Sequence, residues 1–121
     1  VQRVREVTKH LSFPSLFPIE VRVSAADDIA LSTGFGRLNG WVAVHQYVGA
    51  PYESYFQQVA DVMDSYGGRP HWGKMHYLKA AQLCERYPRW GEFQQLRTTL
   101  DPDGIFRNEY VDRVLGVPNA K

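Results

Sequence analysis

The amino-acid sequence predicts an α+β fold, an antiparallel sheet with helices packed on it. Three observations carry this reading. Two runs in the first half of the chain read as strands, one alternating apolar and polar residues and the other rich in β-formers. The second half places its apolar residues mostly at helical spacing. About twenty residues separate the two strand-like runs, which makes antiparallel pairing the natural connection.

Residues 1–11 set Val1, Val4, Val7 and Leu11 among charged residues, the stripe of a short amphipathic helix. Pro14 ends it, because proline has no N–H to continue the ladder. Phe17 to Ser24 reads as the first strand, with Ile19, Val21 and Val23 on one side and Glu20, Arg22 and Ser24 on the other. Asp27-Asp28 breaks the pattern, and residues 28–33 read as a second short extended piece. Gly34, Gly36, Asn39 and Gly40 mark a loop. Trp41 to Tyr47 is the next strand, rich in β-formers, with Trp41, Ala43, His45 and Tyr47 on one face.

Glu53–Tyr66 carries the clearest helical stripe, Tyr55, Phe56, Val59, Val62, Met63 and Tyr66, and Gly67-Gly68 stops it. A polar and aromatic loop follows, Arg69 to His76. Residues 78–86 read as a helix ending near Pro88, and 89–100 as another. Asp101-Pro102-Asp103-Gly104 is a strong turn, and a last helix runs from Asn108, its cap, to Leu115. A two-stranded sheet is marginal by itself, so further strands are expected upstream of this chain.

A chain of 121 residues supplies one small domain. Hydrophobic residues at 44% and charged residues at 22% are the balance of a globular protein, not of a disordered one. Aromatic residues at 13% imply either a substantial core or a surface that belongs against something else, and oligomerisation is expected on that ground. The net charge is +1 and no basic stripe stands out, which disfavours nucleic acid as a partner. Cys84 is alone and has no internal disulfide partner. No apolar run reaches membrane-spanning length, and the first residues lack a signal-peptide pattern. A cytoplasmic or peripheral membrane-associated protein is the expectation. The absence of an initiator methionine fits a piece of a longer chain.

Two groups of residues carry candidate chemistry. Glu20 and Arg22 are two apart on a strand, which puts them on one face roughly 6.5–7 Å apart. They read either as a solvent-facing salt bridge or as a substrate platform. In the second case the carboxylate accepts from hydroxyl groups and the guanidinium binds a carbonyl or a developing oxyanion. The loop His71-Trp72-Gly73-Lys74 is costly to order unless it holds something, and it reads either as a binding loop or as a cap with Trp72 plugging the core. His71 and His76 are five apart with no further ligand at metal spacing, so a zinc site is not expected. Ser32, His45 and Asp28 lack a nucleophile-elbow motif, and Gly34-Phe35-Gly36 is too short for a phosphate loop. His45, on the second strand, reads more simply as a hydrogen-bonded structural residue than as a catalyst.

Three blocks resemble the aldonolactone oxidoreductase family of the vanillyl-alcohol oxidase superfamily, to which alditol oxidases are related. They are Phe17-Pro18-Ile19-Glu20-Val21-Arg22 with Asp27-Asp28-Ile29-Ala30-Leu31-Ser32, then Gly67-Gly68-Arg69-Pro70-His71-Trp72-Gly73-Lys74-Met75-His76, and then Leu100-Asp101-Pro102-Asp103-Gly104-Ile105-Phe106-Arg107-Asn108-Glu109-Tyr110. The resemblance covers roughly residues 14–116, with 1–13 weakly matched.

The resemblance implies that the chain is the C-terminal part of a substrate-binding cap domain. FAD would be bound mainly by a domain absent from this chain, and the substrate would be a sugar lactone or an alditol. It implies catalytic roles for Lys74, Arg22 and Glu20, and substrate contacts from Glu20, Arg22, His45 and Lys74. It places His71 and Lys74 at the cofactor. The implied reaction moves a hydride to flavin while the hydroxyl proton leaves. Without the flavin domain, the isolated piece is expected to be inactive. The competing reading is a stand-alone α+β module whose Glu20/Arg22 face recognises a polar ligand or a protein without catalysis.

Overall fold

The computed structural model describes residues 1–15 and 17–117. Among these residues are two strands and five helices, the small α+β domain that the periodicities predict. The chain divides into two compact units, Val1–Ala26 with Gly36–Gly68, and Asp27–Phe35 with the chain from Arg69 onward.

In the first unit, α1 (Gln2–Lys9) and α2 (Glu53–Asp64) pack together around buried Val4, Tyr55 and Val59. The α2 stripe is the one read from the sequence, except that Tyr66 falls past the helix end and is exposed. The stop is Gly67, at φ +60°, with the Gly68 N–H donating back to Met63 O at 2.9 Å. A Cβ on Gly68 would lie 2.8 Å from that same oxygen, so both glycines are required by the turn.

Strands β1 (Glu20–Ser24) and β2 (Asn39–Ala43) pair antiparallel, with Glu20 opposite Ala43, Arg22 opposite Trp41 and Ser24 opposite Asn39. Both are shorter than expected. Beyond the Glu20–Ala43 pair the register would bring Pro18 to His45, and Pro18 has no N–H to give. The chain after Ala43 instead turns away, with Gln46 donating to Pro51 O. His45 and Tyr47 therefore lie outside the strand expected to carry them, and their rings gather at Phe17, 6.1 and 4.4 Å between centroids. Ile19, Val42 and Val44 reach the helical core, while Val21 and Val23 remain exposed. Val23 faces Gly40, which offers no side chain to pack against.

In the second unit, α3 (Ala80–Leu83), α4 (Trp90–Leu100) and α5 (Glu109–Leu115) surround Leu83, Tyr87 and Val114, with Leu31, Trp72 and Trp90 packed on them. Helix α3 is shorter than the expected 78–86. Gln82 folds its side chain back to accept the Lys79 N–H at 3.1 Å, which fixes the start. Asn108 is the cap of α5 as read from the sequence, its Oδ1 accepting the Val111 N–H at 2.9 Å. The Asp101 turn closes in the same way, with the carboxylate accepting the N–H groups of Ile105 and Phe106. Residues 28–33 are not extended. Asp27 accepts from the Ile29 N–H and the Ser32 hydroxyl, which curls the segment into turns between the bridged residues Asp27 and Phe35.

The expectation from aromatic content holds in part. Tyr47, Tyr66, Tyr77, Phe106 and Tyr110 are exposed, whereas Tyr55 and Tyr87 fill the two cores.

Candidate active-site residues

Glu20 and Arg22 emerge on one face of β1, as the strand period requires. An Nη2 of Arg22 pairs with Glu20 Oε1. The arginine side chain is 73% and the glutamate side chain 41% accessible, so the pair contributes little to stability. Trp41 stands across the ribbon from Arg22, and its indole N–H donates to Ser24 Oγ at 2.9 Å. The face thus presents a carboxylate, a guanidinium and an indole within one ribbon. His45 belongs to the same unit but is an exposed residue off the strand.

His71 and Lys74 lie in the second unit, within one tight turn. The Lys74 N–H donates to His71 O at 3.0 Å, and the Gly73 N–H donates to His71 Nδ1 at 3.0 Å. Accepting at Nδ1 leaves the imidazole proton on Nε2. Both side chains are exposed, and among the described residues the Lys74 ammonium has no ion-pair partner. Trp72, between them, plugs the core: its ring stacks on Tyr87 with centroids 5.2 Å apart, and its indole N–H donates to Leu31 O at 2.9 Å. The cap reading of the loop thus fits Trp72, while His71 and Lys74 point their polar groups outward.

The surroundings of this turn were not legible as functional residues in the sequence. Tyr110, on α5, donates its hydroxyl to Trp72 O and also pairs with His76 Nε2 at 3.2 Å. The phenol has one proton and gives it to the carbonyl, so His76 Nε2 must be the donor to the phenol oxygen. Burial favours the neutral ring of His76. Burial, and secondarily the charge of Arg113, push its pKa from the ordinary 6.5 to about 4. Arg113 donates from one nitrogen to His76 O at 3.1 Å and to Leu78 O at 2.9 Å. Arg69 opens the loop by donating to Arg86 O and Phe35 O, both at 2.8 Å. A cleft of about 420 Å³ in the same unit is lined by Ile29, Leu31, Trp72 and Phe93 among others; it is apolar and touches neither His71 nor Lys74.

The family model for D-arabinono-1,4-lactone oxidase matches residues 1–114. The chain belongs to the D-arabinono-1,4-lactone oxidase family. Within that wider group of aldonolactone oxidoreductases it is 55% identical over 116 residues to an L-gulono-1,4-lactone dehydrogenase of Mycobacterium tuberculosis, covering 96% of this chain and 27% of that protein. It is 36% identical to an L-gulonolactone oxidase of Scyliorhinus torazame, over 80% of this chain and 23% of that one. An alditol oxidase of a Streptomyces species is 34% identical over 95% of this chain and 27% of its own length. The chain thus spans about a quarter of the length of the relatives it matches. Membership of the D-arabinono-1,4-lactone oxidase family favours the oxidoreductase reading over that of a stand-alone binding module.

Proposed function

We propose that this chain is the substrate-handling C-terminal part of an FAD-linked oxidoreductase that oxidises a hydroxyl of a sugar 1,4-lactone or an alditol. The observation that carries the reading is Lys74: an ammonium without an ion-pair partner among the described residues, on a turn whose backbone is held on both sides. A cation kept exposed on a fixed loop is suited to an electron-rich group that arrives from elsewhere. The donor set agrees in kind. On the second unit, Lys74 and the Nε2–H of His71 are donors that suit the redox end of a flavin; on the first, the guanidinium of Arg22 suits an oxyanion. The bulk of the FAD would be held by another domain of the same polypeptide.

When bound, the flavin supplies the two-electron acceptor for the hydride released as the substrate C–H bond breaks and a carbonyl forms. The residues of this chain do the rest. Glu20 accepts hydrogen bonds from substrate hydroxyls, orients them and assists the departure of the hydroxyl proton. Arg22 and Lys74 stabilise the negative charge that builds on oxygen as that proton leaves, and Lys74 also neutralises charge on the reduced cofactor. His71 would help hold the cofactor, with its Nε2–H as the donor. His45, beyond the end of β2, is assigned a substrate contact.

The test is the absorbance spectrum of the full-length protein, followed while aldono-1,4-lactones and alditols are added without oxygen. Flavin bands that bleach with one class and not the other support the reading and choose the substrate. A colourless preparation that does not take up FAD overturns it.

A further inference from the structure

We propose that Tyr110 and Arg113 are positioning residues that aim Lys74, by holding its loop at two carbonyls placed symmetrically about it. The inference rests on the functional reading of Lys74 given above. Tyr110 takes hold of Trp72 O, two residues before Lys74. Arg113 takes hold of His76 O, two residues after it. Both side chains come from α5, three residues apart and hence on one face of the helix. The guanidinium of Arg113 lies 5.1 Å from the centroid of the Tyr110 ring, which locks the two together.

This is more than a loop needs in order to stay folded. Trp72 already anchors the loop by its indole, buried against Tyr87 and bonded to Leu31 O. The His71–Lys74 turn closes itself through its own backbone. The two hydrogen bonds from α5 go to backbone oxygens, and they fix the direction of the backbone on either side of one exposed lysine. His76 completes the arrangement from within the loop, since its Nε2–H occupies the phenol oxygen and leaves the phenol proton for Trp72 O alone. A long, flexible ammonium side chain needs such an anchored Cα if its charge is to meet a reacting oxygen, because small misplacements at a reacting centre are costly in rate.

The experiment uses the full-length flavoprotein, with Lys74→Met, Tyr110→Phe and Tyr110→Phe/Lys74→Met compared for flavin reduction under single-turnover conditions, normalised to bound flavin. Tyr110→Phe is expected to slow reduction roughly ten- to hundredfold with substrate affinity little changed. It is expected to add nothing in the Lys74→Met background, and hydrogen exchange of residues 71–77 should rise while that of α2 does not. If Tyr110→Phe folds poorly, Arg113→Met and Arg113→Lys serve in its place, with the lysine variant recovering most of the lost rate. Normal reduction by Tyr110→Phe beside a slow Lys74→Met overturns the positioning role and leaves the function of Lys74 intact. Effects that multiply in the double variant also overturn it, because the two residues would then act independently. Normal reduction by Lys74→Met overturns the functional reading itself, and the positioning role with it.

Discussion

Arg22 stands directly opposite Trp41 in the β1–β2 ladder, on the face of the ribbon that turns away from the helices. Its guanidinium is paired with Glu20 yet largely open to solvent. Removing it should therefore leave the fold intact and expose its chemical role. In the full-length protein, Arg22→Leu is expected to cost about 2.7–4 kcal/mol of transition-state stabilisation. Stopped-flow reduction per bound flavin should fall roughly a hundredfold or more. An unchanged rate would assign the Glu20–Arg22 pair to the surface.

Glu20→Gln keeps the shape of the side chain and loses the charge that makes it a strong acceptor. Substrate binding should weaken roughly tenfold, as for one hydrogen bond to a charged group. The maximal reduction rate should fall less than in Arg22→Leu. A titration of reduction rate against substrate concentration separates the two effects.

The second core is small, so its members matter individually. Leu83 is fully buried, and Leu83→Ala should cost about 2–5 kcal/mol. Leu96, more than half exposed on α4, should tolerate the same truncation within about 0.5 kcal/mol. Thermal unfolding of both variants checks the contrast, and equal losses would mean that the core is elsewhere.

His76 predicts a pH dependence. Its folded-state pKa of about 4 lies below the ordinary 6.5, so the unfolded chain binds the proton first as pH falls. The stability contributed by neutral His76 is complete above pH 6.5 and is lost progressively toward pH 4. His76 is only partly buried, so the loss is smaller than the shift alone implies. His76→Gln should flatten the stability profile between pH 6.5 and 4. A profile identical to that of the unchanged protein would place the acid sensitivity elsewhere.

Asn108→Ala removes the one side-chain acceptor at the start of α5 and should cost about 1 kcal/mol. Because α5 holds the Lys74 loop, hydrogen exchange at residues 71–77 should rise with it. Exchange that rises only within α5 would uncouple the helix from the loop.

What the sequence conveyed followed the range of each interaction. Asn108, the Asp101 turn and the α2 stripe depend on partners within a few positions, and each is found where the local pattern places it. Glu20 and Arg22 share a face because a strand has period two. The segment 28–33 misled, since Ile29 and Leu31 alternate as a strand would while the Asp27 carboxylate decides the backbone. The ends of the strands misled because Pro18 acts across the ladder and not along the chain. Tyr110 and Arg113 left no local sign, since they reach carbonyls 38 and 37 positions away. Side chains that find backbone oxygen at that distance carry no periodicity.

The chain passes from the first unit into Asp27–Phe35, returns at Gly36, and leaves again at Arg69. During synthesis this order has a consequence. Asp27–Phe35 leaves the ribosome before the residues that hold it, for Leu31 O waits for Trp72 and Phe35 O for Arg69. The first unit can close as soon as Gly68 is out, with those nine residues looped out and tied by their own turns, Asp27 to Ser32 among them. The nascent protein therefore carries an unfinished segment inside a finished one. A pause in translation once Gly68 has emerged, while the rest of the second unit is still inside the ribosome, would prolong its exposure, and a protease would find it there before the second unit forms.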